Sequence, residues 1–89
     1  MSEEPLSVGV LIHLLERAEK LFGLDDPDTL SARNQLARAY VLEGEPRRAI
    51  PLYETSVVAM ERVLGSDDPR TVATRENLAF AIRLGDQPD

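Results

Sequence analysis

The 89-residue chain has no cysteine and no tryptophan, two tyrosines, two phenylalanines and a single histidine. Without cysteine there is neither a disulfide nor a thiolate metal site, and nothing demands an oxidising compartment. With so few aromatics, a core must be assembled from Leu, Val, Ile and Ala. No apolar run approaches the ~18 residues of a membrane span. The opening Met1-Ser2-Glu3-Glu4-Pro5 is acidic, unlike the basic start of a secretory leader. The expected address is therefore the cytoplasm. There is no Gly-rich phosphate loop, and Ser7, Ser31, Ser56 and Ser66 lie in no nucleophile elbow. Positive charge is also scarce. The formal net charge is −6 and the longest basic run is Arg47-Arg48. Phosphate backbones and anionic surfaces are repelled overall, so neither nucleic acid nor membrane is an expected partner.

What the chain does have is a copy of itself, 42 residues on. Gly23-Leu24-Asp25-Asp26-Pro27-Asp28-Thr29 returns as Gly65-Ser66-Asp67-Asp68-Pro69-Arg70-Thr71, and Arg33, Leu36, Ala37, Ala39, Leu42 and Pro46 return as Arg75, Leu78, Ala79, Ala81, Leu84 and Pro88. Residues 23–46 and 65–88 agree at 11 of 24 positions. A fixed period of this size marks stacked supersecondary units, none of which buries its apolar face alone.

The breakers divide the chain into helices. Gly23, Gly44, Gly65 and Gly85 each follow an apolar-periodic stretch, where a helix needs a left-handed terminator. Asp26-Pro27 and Asp68-Pro69 each open a helix, the Asp as cap and the Pro at the first helical position. This punctuation predicts one all-α domain over 1–89, with helices over 6–22, 27–43, 47–64 and 69–84. The run Val8-Gly9-Val10-Leu11-Ile12 could be a short strand, but its continuation Leu14-Leu15-Ala18-Leu21 keeps helical spacing. The short link Glu43-Gly44-Glu45-Pro46 makes the second and third helices antiparallel neighbours. Pro51 falls inside the third helix at a cost of ~3 kcal/mol, which predicts a late start near Arg48 or a bent first turn.

These spacings resemble the tetratricopeptide repeat. Its pattern of a large residue, Leu, a small residue and an aromatic, then Ala-x3-aromatic, reads here as Arg33-x2-Leu36-Ala37-x2-Tyr40 and Ala49-x3-Tyr53, with a second copy Arg75-x2-Leu78-Ala79-x2-Ile82. The usual period is about 34 residues. The longer period is similar to the variant found in kinesin light chains and in bacterial signalling ATPases and regulators, as are Ala49-Ile50-Pro51-Leu52-Tyr53-Glu54 and Glu61-Arg62-Val63-Leu64-Gly65. HEAT and armadillo repeats, with periods of about 40–47 residues, are the rival class. The Asp-Pro-x-Thr linker and the small-residue positions favour the former. The resemblance implies four antiparallel helices in a short α-solenoid of about one and a half repeats.

It also implies a non-catalytic module that binds a protein or peptide, with no cofactor. By the resemblance, an extended peptide lies on the inner surface, lined by Ser31, Asn34 and Arg38 of the second helix and Glu76, Phe80 and Arg83 of the fourth. Two alternatives stand beside this: a self-assembling structural unit, or a piece of a larger regulatory protein. Asp25, Asp26 and Asp28, with Asp67 and Asp68, lack the alternating ligands, central Gly and twelfth-position Glu of a calcium loop, and read as capping residues. No metal site is expected. His13 lies on an apolar-rich helix with no catalytic motif around it, so no enzymatic role is expected.

The apolar residues of the first helix spread around much of its circumference: Leu6, Val8, Val10, Leu11, Ile12, Leu14 and Leu15. The fourth helix keeps Val72, Leu78, Ala79, Ile82 and Leu84, with no helix after it to cover them. Such patches mark interfaces. The expectation is a homodimer whose seam draws on Val10, Ile12, Leu14, Leu78 and Ile82.

Overall fold

The turns explain the fold. In the computed structural model, which describes residues 7–87, the chain forms α1 (Val8–Phe22), α2 (Pro27–Leu42), α3 (Pro46–Leu64) and α4 (Pro69–Gly85). Leu6 and Pro88 lie outside the described residues. The run from Val8 to Ile12 is helical, and no strand occurs among the described residues.

Three of the four helix starts carry a side-chain cap, and α3 opens on Pro46 without one. Ser7 accepts from the Val10 amide at 3.3 Å. Asp26 and Asp68 accept from the amides of Asp28 and Arg70, each at 2.9 Å, with Pro27 and Pro69 in the first turn. The Asp68 carboxylate also takes the Arg70 guanidinium at 3.0 and 3.1 Å. Hydrogen bonds from the Arg70 side chain and backbone hold the Asp68 carboxyl below the usual carboxylate range. Asp26 has only the amide. Asp26→Ala is expected to lower unfolding free energy by about 0.5–2 kcal/mol, read as a shifted urea midpoint with unchanged slope.

The helix ends correct the sequence reading in three places. Gly23, Gly44 and Gly65 have φ of 89°, 80° and 93°, a region that side-chain-bearing residues avoid. Gly85 does not. It is the buried last residue of α4, where a Cβ would meet Arg47 Cγ at 3.3 Å and Ile50 Cδ1 at 3.5 Å. Its role is close approach to α3, and the Arg47 Nε–H donates to its carbonyl at 3.1 Å. Second, α3 starts at Pro46 and continues unbroken through Pro51, so the late start near Arg48 does not occur. Pro51 lies in the second turn with its ring exposed, and forgoes only the bond to the Arg47 carbonyl. Third, α1 begins at Val8, behind its Ser7 cap.

Packing is heaviest between chain neighbours: α1 on α2, α2 on α3, α3 on α4. Leu11 and Leu15 of α1 meet Leu36 of α2, and Ala37, Ala49, Tyr53 and Ala81 join α2, α3 and α4. Leu30 closes one end against Ala59 and Met60. The small residues at Ala37, Ala49 and Ala81 are fully buried, which is what lets three backbones approach one another.

The repeated arginines hold the linkers. Arg33 is 4% exposed, with its Nη2 3.4 Å from the Leu24 carbonyl and 3.7 Å from Glu19. Its copy Arg75 donates to the Ser66 carbonyl at 2.7 Å and lies 3.9 Å from Glu61. Each guanidinium thus ties the loop nine residues before it to the preceding helix, where the short repeat has a bulky apolar residue. Thr29 adds bonds to the Gly23 and Ala18 carbonyls at 2.7 and 3.2 Å.

Candidate functional site

Because α2 and α4 both rest on α3, a groove of about 480 Å³ opens between them with α3 as its floor. Ser31, Asn34, Gln35 and Arg38 form the α2 wall, one or two residues per turn on a single stripe. Arg70, Ala73, Thr74 and Asn77 form the α4 wall, and Tyr53, Met60 and Leu64 form the floor. The groove therefore has an apolar base and amide-bearing sides, the combination that grips an extended chain by its backbone while seating apolar side chains.

Asn34 is the most constrained polar residue there. Its Nδ2 donates to the Thr74 hydroxyl at 3.2 Å and lies 3.8 Å from the Met60 sulfur. Thr74 in turn donates to the Arg70 carbonyl at 2.8 Å. This bridges the two walls and fixes the amide, leaving the Asn34 Oδ1 buried without a hydrogen-bond partner. A buried acceptor without a donor is costly, and the Asn34–Thr74 bridge carries that cost. Tyr53 is almost wholly buried beneath the groove. Burial pushes its phenol pKa up, and the positive charge of Arg38 opposes that. Arg38 is exposed and forms no ion pair among the described residues.

A tetratricopeptide repeat profile matches residues 6–57. The chain belongs to the tetratricopeptide repeat family. No curated protein and no solved structure matches it significantly. Tetratricopeptide modules in general bind protein partners and are non-catalytic.

In this tetratricopeptide chain the structure brings together three of the six candidate groove residues: Ser31, Asn34 and Arg38. Phe80 lines a smaller hollow that adjoins the groove through Arg38, Tyr53 and Asn77. Glu76 and Arg83 are exposed and line neither; the Arg83 guanidinium stands 6.0 Å from the Phe80 ring centroid. The α4 wall residues Ala73, Thr74 and Asn77 were missed. The signal was present: Ala73 and Asn77 are the 42-residue copies of Ser31 and Gln35. The copies of Asn34 and Arg38 are Glu76 and Phe80, and the equivalence is inexact because adjacent helices turn opposite flanks to a shared groove.

The remaining candidates sort plainly. His13 is an exposed residue on the outer side of α1, 3.6 Å from Glu16. Asp25 pairs with Arg62 at 2.7 Å, and Asp26 and Asp68 are caps. Among the described residues no group of three His, Cys, Asp or Glu is placed to hold a metal ion. No described helix is long and apolar enough to cross a membrane. Of the self-association candidates, Val10, Leu14 and Ile82 are exposed, whereas Ile12 and Leu78 are half-buried against the core.

Proposed function

We propose that the chain is a non-catalytic interaction module whose α2–α4 groove holds an extended, acidic peptide. The observation that carries this is the groove itself, an apolar base of Tyr53 and Met60 between polar walls, with the exposed Arg38 on its rim. Arg38 supplies a cation with no internal partner, suited to a ligand carboxylate. Tyr53 and Met60 supply an apolar base between them. The 42-residue period and the Asp-Pro-x-Thr linkers support placing the chain with the long variant resembling kinesin light chains.

The test is a panel of immobilised extended peptides differing in acidic content, read against the chain and two variants. Acidic peptides are expected to be retained preferentially. Arg38→Glu is expected to weaken them by about tenfold, with a shallower salt dependence, and Asn34→Ala to weaken acidic and neutral peptides alike. Retention indifferent to Arg38 and Asn34 would show that this groove is not the site.

A further inference from the structure

The 42-residue offset pairs α1 with α3 and α4 with α2, residue by residue. Burial differs sharply between the copies. On α1, Val10, Leu14 and Phe22 are 45%, 43% and 51% exposed. Their counterparts Leu52, Ser56 and Leu64 on α3 are half-buried or buried. On α4, Val72 and Ile82 are 37% and 39% exposed, and Ala79 is exposed too. Their counterparts Leu30, Ala37 and Tyr40 on α2 lie in or against the core, because α3 is seated on them. The uncovered side of α4 thus has the register of a seat for a helix like α3. The uncovered side of α1 has the register of the helix that fits it.

Charge agrees with this register. Arg62 of α3 binds Asp25 of the first linker at 2.7 Å. The counterparts of that pair are Lys20 and Asp67. Neither forms an ion pair among the described residues, and neither can reach the other within one chain, since they lie at opposite ends of the stack. Size agrees as well. Arg17 of α1 stands where α3 has the buried Ala59, a larger residue in a tight place. The α4 side compensates, with Val72 for Leu30 and Ser66 for Leu24.

We infer that copies of this chain stack head to tail, α1 of one copy seating on α4 of the next as α3 seats on α2, with Lys20 of one against Asp67 of the other. The contact is heterologous. It repeats until a ring closes or a filament grows, and it carries the α2–α4 groove on from copy to copy. It involves surfaces outside the groove and does not rest on peptide binding.

Sedimentation velocity of the full chain over a concentration series tests this with two exposed-site variants, Leu14→Glu on the head and Ala79→Glu on the tail. Far-ultraviolet circular dichroism checks that both remain helical. The unaltered chain is expected to show dimers and longer species growing with concentration. Each variant alone is expected to associate about tenfold or more weakly, since each puts a carboxylate in an apolar seam. Mixed in equal amounts, they are expected to form a one-to-one dimer and nothing larger, because one sound tail meets one sound head. Lys20→Glu mixed with Asp67→Lys is expected to associate several-fold more tightly than either alone. An unaltered chain that stays monomeric throughout would overturn the proposal, as would a mixture that stays monomeric. So would association lost with Leu14→Glu and untouched by Ala79→Glu, the result of a two-fold α1 seam.

Discussion

Tyr53→Ala is expected to remove about 3–5 kcal/mol of stability, the range for truncating a buried aromatic. Tyr53 is 3% exposed and joins Ala37 of α2, Ala49 of α3 and Ala81 of α4. All three of these buried partners are alanines, which cannot reach into the space left behind, while Tyr40, Val41, Ile50, Leu52 and Leu78 around them are already engaged in packing. Domains of this size have only ~5–15 kcal/mol in total, so the variant is expected to be largely unfolded or to melt tens of degrees lower. Thermal unfolding followed by circular dichroism measures this. Tyr53→Phe separates the ring from the hydroxyl. Burial raises the phenol pKa in the folded state, so below about pH 10 both states keep the proton and the contribution is fully present. As pH rises through that value the unfolded chain ionises first, and stability is lost. Tyr53→Phe is expected to retain most of the stability at pH 7 and to flatten the alkaline loss. An alkaline profile identical in the two proteins would place that loss elsewhere.

Leu30→Ala comes next, at about 2–5 kcal/mol, and its repeat copy supplies an internal control. Leu30 is buried against Ala59 and Met60, with Leu64 beside them. Val72 occupies the same repeat position on α4 with more than a third of its surface open. Val72→Ala is expected to change stability by less than ~1 kcal/mol, in the range of surface substitutions. Urea denaturation at dilute protein concentration compares the two. Equal effects would mean that both sides of the stack are covered in the isolated chain.

Much of this architecture was legible because local chemistry fixes it. Asp26-Pro27 and Asp68-Pro69 can do little but open helices, and Gly23 and Gly65 supply a backbone conformation other residues resist. Tertiary context decided the rest. Gly85 reads as a terminator by position, yet what selects glycine there is the proximity of Arg47 and Ile50 from α3. Arg33 reads as an exception to an apolar position. It is buried nonetheless, because the linker carbonyl of Leu24 and the Glu19 carboxylate lie within its reach. In the candidate site, the α2 wall followed from helical spacing. The α4 wall depended on how α4 is rotated over α3, which spacing within one helix does not encode. Hence Thr74 and Asn77 line the groove where Glu76 and Arg83 were expected.

Packing concentrated between chain neighbours also governs how the protein opens. The heaviest packing of α1 and of α4 is with one adjacent helix, and beyond it α4 is tied to α2 by the Asn34–Thr74 hydrogen bond, so each end can loosen with little effect on the other. Loop closure during folding spans a few residues at each step, which favours rapid assembly outward from the α2–α3 pair. Amide hydrogen exchange is accordingly expected to be graded along the chain, slowest at the middle of α2 and α3 and fastest in α1 and the last turns of α4. A partner gripping both α2 and α4 would slow exchange in α4 most, turning the loosest wall of the groove into the part that reports occupancy.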